Sequence, residues 1–112
     1  MTYGDIESRA RALVNDWQEP YRFSQETLFG FAVDAVRQLR NVNPSEKYGP
    51  NGLLDETIPE RAPGNDIRID PRHEEAVVLF VGHKAYQQDL SDTVNMQLSE
   101  NLRTRAEALM RL

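Results

Sequence analysis

Apolar positions along the chain fall into four stretches at helical spacing, parted by segments rich in proline, glycine and asparagine. Between residues 3 and 18, Ile6, Ala10, Leu13, Val14 and Trp17 recur on one helical face. Thr2 followed three residues later by Asp5 has the form of a capping box. The pairs Asp5/Arg9 and Glu7/Arg11 stand four apart with the acid on the N-terminal side, the favoured order. Pro20, which cannot continue a helix, is expected to end this one. A second helix is predicted over 24–41, with Ser24 as its cap and Phe23 and Leu28 placed as a hydrophobic staple. Its main stripe is Leu28, Phe31, Ala32, Ala35, Val36 and Leu39, widened by Phe29 and Val33. That width predicts burial on more than one side, against other helices or a neighbouring subunit. The helix is expected to stop at "NVNP", residues 41–44.

Residues 43–70, "NPSEKYGPNGLLDETIPERAPGNDIRID", hold four of the six prolines and three of the six glycines, which argues against a helix there. Two fragments alternate apolar and polar residues, Leu54-Asp55-Glu56-Thr57-Ile58 and Ile67-Arg68-Ile69, with "RAPGND" between them as a turn. The expectation is a small two-stranded β element linking two helical pairs, since a structureless loop of this length is unusual inside a compact domain.

Asp70-Pro71 predicts the start of a third helix over 71–90, with Asp70 as cap and proline at the first helical position. Glu74 and Glu75 fall in its first turn, at the positive end of the helix dipole. The run Ala76 to Val81 alone would suit a buried strand; with the cap before it and Ala85, Tyr86 and Leu90 after it, a buried helix is the better reading. The fourth helix is expected over 92–111, with Val94, Leu98, Leu102, Ala106, Leu109 and Leu112 facing inward. Asp92 lies near its start and Arg103, Arg105 and Arg111 near its end, matching the dipole.

The third helix also carries both histidines, in "HEEAVVLFVGH", residues 73–83. A His-Glu-x-x-His zinc site needs its two imidazoles four residues apart on one face, and the residue four after His73 is Val77. His83 lies ten residues on, about 80° around the helix and roughly 15 Å along it. The two rings are therefore expected to face water as polar residues of a buried helix, with no metal between them. Glycines occur singly, without a phosphate-binding fingerprint, and no serine sits in a nucleophile elbow. Paired carboxylates such as Asp55-Glu56 lie in loops. The sequence supports no catalytic, cofactor-binding or metal-binding residue, and no enzymatic activity.

Composition narrows the class further. A length of 112 residues suits one domain, residues 1–112, with a core of its own. The absence of cysteine excludes disulfides and thiolate chemistry. No apolar run approaches the roughly 18 residues of a membrane span, and "MTYGDIESRA" has no signal-peptide pattern. The expected setting is a cytoplasm, or a particle assembled there, with no membrane. With 13 Lys and Arg against 18 Asp and Glu, the net charge of −5 and the scattered arginines disfavour a helix-turn-helix reader of DNA.

"ESRARALVNDW" followed by "YRFSQETLFGFAVDAVRQLRNVNPS" resembles the opening of the head–tail connector (neck adaptor) proteins of tailed bacteriophages. Leu13-Val14-Asn15-Asp16 stands where those proteins end a first helix, Phe23-Ser24 with Leu28 where they cap a second, and Ala35, Leu39 and Pro44 where they close it. "EEAVVLFVGHKAYQQDLSDTVNMQLSENLRTRAEALM" is similar to the closing helical pair. The chain departs from the family in carrying "FAVDAV", residues 31–36, where a Trp or Leu with Asn is usual, and leucines where the last helix often has an aromatic residue. The resemblance implies a mainly α fold: a four-helix bundle-like adaptor with a small two-stranded β element between helices 2 and 3. It also implies a structural virion role: a homo-oligomeric ring, commonly of twelve copies, at the neck between portal and tail or nozzle proteins. Such a ring encloses DNA without sequence-specific binding, and a net-acidic subunit fits that through repulsion. Candidate contact residues are Trp17 and Tyr21 flanking Pro20, Phe29 and Val33 on the second helix, and Tyr48, Leu53, Leu54, Ile58, Ile67 and Ile69 between helices. The alternative is a small cytosolic helical interaction domain, regulatory or chaperone-like, with the resemblance a coincidence of helical patterning.

Overall fold

A computed structural model describes residues 1–16, 18–89 and 93–112. Among the described residues four α-helices are formed, α1 (Tyr3–Leu13), α2 (Gln25–Val42), α3 (Glu74–Gln88) and α4 (Thr93–Met110), with 3₁₀ turns at Pro44–Lys47 and Pro71–His73. α3 is the hub, packing most extensively on α4 and then on α2 and α1. Its apolar run from Ala76 to Val81 is wholly buried, as are Gly82 and Ala85. Gly82 permits the close approach: a β-carbon there would lie 2.6 Å from Leu13 Cδ2 and 3.1 Å from Leu102 Cδ1.

α1 begins as expected. Thr2 Oγ1 accepts from the Asp5 amide at 3.1 Å, and the Thr2 amide donates to the Asp5 carboxylate at 3.0 Å. Its end differs from the prediction, for it stops at Leu13, well before Pro20. Asn15 takes the left-handed conformation (φ 57°). The Asp16 amide then bonds the Arg11 carbonyl at 2.7 Å and the Asn15 amide the Ala12 carbonyl at 3.4 Å. Those two bonds are the Schellman closure, with asparagine in the usual place of glycine. Trp17 lies outside the described residues.

The Asp16 side chain organises the link to α2. It is 4% exposed, and its carboxylate accepts from the Arg22 amide (2.8 Å), the Phe23 amide (3.2 Å) and Arg11 Nη1 (2.9 Å). Arg11 is bound in turn to Glu7 at 2.9 Å, so the buried charges compensate one another. α2 starts where Ser24 Oγ accepts from the Thr27 amide at 3.1 Å, and both Phe23 and Leu28 are buried beside that cap. The broad α2 stripe is covered by the chain's own elements: Leu28, Phe29, Ala32, Val33, Ala35, Val36 and Leu39 all join one core with α1 and α3 residues.

The two-stranded β element is not formed: among the described residues there are only isolated bridges, Tyr48 with Leu54 and Thr2 with Asp66. Side chains and the chain start occupy the groups a ladder would use. The Thr57 amide is taken by Asp55 Oδ1 (3.0 Å), the carbonyls of Glu56 and Thr57 by Arg40 (2.7 and 3.2 Å), and the Ile67 amide by the Met1 carbonyl (2.8 Å). Residues 59–67 run along the start of α1 instead, where Tyr3 Oη donates to the Pro59 carbonyl (2.6 Å) and the Gly4 amide to that of Pro63 (2.9 Å).

α3 is preceded by one 3₁₀ turn capped by Asp70, which accepts from the Arg72 amide at 3.1 Å, so the α-helix proper begins at Glu74. Leu90 and Asp92 lie outside the described residues. α4 is rotated from the expected face. Ser99, Leu102, Ala106 and Met110 point inward, while Val94 (54%), Leu98 (37%) and Leu112 (66%) are exposed and Leu109 is half-buried. Ser99 draws the helix to this setting. Its hydroxyl donates to the His83 carbonyl at 3.0 Å, and His83 Nδ1 meets the same hydroxyl at 2.8 Å. With the hydroxyl proton committed to the carbonyl, Nδ1 carries the imidazole proton.

Candidate interaction surface

Residues 44–70 form an arm whose near half is a tight hairpin. The Gly49 amide bonds the Leu53 carbonyl (2.8 Å) and the Asp55 amide the Lys47 carbonyl (2.6 Å). The turn between them needs Gly52, whose φ of 78° disfavours a side chain. Tyr48, Leu53 and Leu54 project from this tip, 50%, 66% and 61% exposed. Such large apolar groups held in water by an ordered backbone are the first place to look for a partner.

Arg68 holds the hairpin in place. Its guanidinium donates to three carbonyls, those of Tyr48 (2.8 Å), Glu46 (3.0 Å) and Asp55 (2.7 Å). Ile67 and Ile69 on either side of it turn into the core, so strand-like alternation sends Arg68 outward over the hairpin. At the root, Glu46 is buried at 4% exposure and accepts from His73 Nδ1 and from the Asp70 amide (3.2 Å). His73 Nε2 faces Asn43 Nδ2 at 3.4 Å, and that same amide donates to the Met110 carbonyl at 3.0 Å. One polar chain thus joins the arm, the 3₁₀ turn before α3 and the end of α4.

The histidines therefore do not face water. His73 is 0% exposed and His83 5%, each saturated by a different partner, Glu46 and Ser99. A helix start packed over the arm, and a serine on the facing helix, supplied polar partners that spacing along α3 does not reveal. Burial pushes the His83 imidazole below its ordinary value, with the Ser99 carbonyl acting in the opposite direction. On the arm, hydrogen bonds from the Thr57 hydroxyl and amide hold the Asp55 carboxyl below its ordinary value.

Among the candidate contact residues, Phe29, Val33, Ile67 and Ile69 lie in this chain's own core, at 3%, 4%, 0% and 7% exposure, and are not open to a partner. Alternation shows that one side of such a segment is covered, and does not show by what. Ile58 is half-buried against the core. Tyr21 is 45% exposed and lies under the Arg11 guanidinium, 4.0 Å from its ring centre. Tyr48, Leu53 and Leu54 are brought together; Tyr21 belongs to a separate place beside α1. Sequence reasoning missed the exposure of Val94, Met96 and Leu98 on α4 (54%, 53% and 37%), where Val94 and Leu98 share one flank of the helix and Met96 lies on the other. No local signal marked them, because the inward Ser99 is explained only by His83 on the facing helix.

Among the described residues no helix is long and apolar enough to cross a membrane, and no group of three or more His, Asp or Glu side chains is placed to hold a metal ion. Comparison with protein-family models, with curated proteins and with solved structures returns no significant match.

Proposed function

We propose that the chain is a structural subunit of a tailed-bacteriophage neck: a head–tail adaptor that assembles as a ring under the portal, extends the DNA channel and docks the tail. The observation that carries this reading is the arm. Arg40 and Arg68 clamp its backbone, and Tyr48, Leu53 and Leu54 stand exposed on the clamped segment. A ring closed by rotation needs two different faces on each subunit, one to give and one to receive. The hairpin tip supplies one apolar face and the flank of α4 that carries Val94 and Leu98 another. The helical pattern shared with neck adaptors supports the same role, and the net charge of −5 suits a channel wall that DNA must slide past.

Native mass spectrometry of the protein, alone and mixed with a portal ring from the same genome, tests the reading. The expected result is a ring-sized set of copies on the portal, lost in the double variant Leu53→Glu, Leu54→Glu, whose substitutions fall outside the core. A monomer or dimer indifferent to the portal overturns it.

A further inference from the structure

Beside the root of the arm, Arg37, Arg40 and Asn41 of α2 face Lys47, Glu56 and Ile58 across an open cleft of about 440 Å³. Three cations line it against one carboxylate, in a protein whose net charge is −5. Lys47 and Glu56 answer each other at 3.7 Å. Arg37 and Arg40 have no carboxylate within ion-pair distance among the described residues, although Arg40 is 5% exposed. Arg40 gives one N–H to the Glu56 carbonyl and one to that of Thr57. A guanidinium has five N–H groups, so among the described residues these two carbonyls do not exhaust its donors. Burial pushes the Arg40 guanidinium below its ordinary value, with Arg68 acting in the same direction and the Asp55, Glu46 and Glu56 carboxylates in the opposite one. Positive field extends along the same face: Arg61 and Arg37 act on Tyr3, pulling its phenol down against the upward push of burial.

We infer that this cleft is a binding site for a carboxylate carried by an acidic side chain of a partner protein. A planar carboxylate matches the fork of a guanidinium whose backbone bonds already fix its plane, giving charge-assisted hydrogen bonds from Arg40 and Arg37. The half-buried Ile58 offers apolar surface to the methylenes behind the acid group. Glu56 in the wall disfavours a dianion such as phosphate while leaving room for a single negative charge. The site opens beside the hairpin that carries Leu53 and Leu54, so an acidic residue flanked by leucines satisfies both at once. This pocket is independent of the ring assembly proposed above, for it stands on charge and geometry within one subunit.

The test is an NMR titration of the arginine side-chain N–H signals and backbone amides with a capped Leu-Glu-Leu tripeptide, its Leu-Gln-Leu counterpart, acetate and inorganic phosphate. Saturable shifts at Arg37, Arg40 and Lys47 are expected with the glutamate peptide and not with the glutamine one. Arg37→Gln, at an exposed position, is expected to weaken binding about tenfold, the size of one charge-assisted contact. It leaves the carbonyl bonds of Arg40 in place, so the fold is kept. Equal binding of both peptides, or no saturation at millimolar peptide, overturns the site. Phosphate binding more tightly than the glutamate peptide overturns the choice of carboxylate, and acetate matching the peptide overturns the protein partner.

Discussion

The two long connections of this molecule solve one problem with opposite charges. Between α1 and α2, an anion gathers amides: Asp16 accepts from Arg22 and Phe23 and is neutralised by Arg11. Between α2 and α3, cations gather carbonyls: Arg68 takes three and Arg40 two. Among the described residues neither segment has a ladder partner, and buried backbone groups without partners are costly. The difference lies in compensation. Asp16 and its arginine are both sealed inside, so the α1–α2 link is closed on itself. In the arm Arg68 meets only a half-exposed Asp55 at 3.8 Å, and Arg40 has no carboxylate within ion-pair distance among the described residues, which leaves that region able to meet something else.

The largest effect is expected at the closed link. Asp16→Ala removes the acceptor of two amides and strands the buried Arg11, so a loss of about 3 kcal/mol is expected in urea unfolding. A loss below 1 kcal/mol would mean that Glu7 alone carries the arginine, and the two links would then differ less than described. Arg68→Ala is expected to cost less overall, about 1–2 kcal/mol, because its side chain is partly in water. Its mark is local: hydrogen exchange should quicken at the amides of Gly49 and Asp55 while those of α3 stay protected. Uniform quickening across the chain would show that the arm and core open together. The smallest effect belongs to the α3–α4 seam, where the polar pair is neutral. His83 is depressed below its ordinary value of 6.5. The unfolded chain therefore takes up the proton first as pH falls, and stability present above about pH 6.5 is lost below it. The slope is expected to be a fraction of the roughly 1.4 kcal/mol per pH unit that one group can contribute. It should flatten in His83→Gln; an unchanged slope there would place the titration elsewhere.

Much of the helical layout was legible because caps are local. Thr2 with Asp5, Ser24 between Phe23 and Leu28, and Asp70 before Pro71 are each read within a few residues, and each is found at or within one turn of a helix start. The end of α1 was misplaced because proline is a louder signal than asparagine, and Asn15 reached the left-handed turn first. The arm resisted reading for a different reason. Its two alternating fragments look alike, but one is gripped through its carbonyls by arginines from elsewhere, and the other is held by the chain start. Of the surface, the sequence marked Tyr48, Leu53 and Leu54 and also marked four core residues, since hydrophobicity does not say which side is dry. Position 99 shows the limit most sharply: a serine facing inward is intelligible only once His83 is seen opposite.

The polar chain from Glu46 through His73 and Asn43 to Met110 has a mechanical meaning. A pull on the hairpin tip is not borne by its flanking backbone alone, since the root is tied to the ends of three helical elements. Arg68 and Glu46 take the load as separate ties, and beyond Glu46 it passes in series through His73 and Asn43 to the end of α4. The tip is thereby anchored like a bracket with several bolts, stiff at its base although it stands clear of the core.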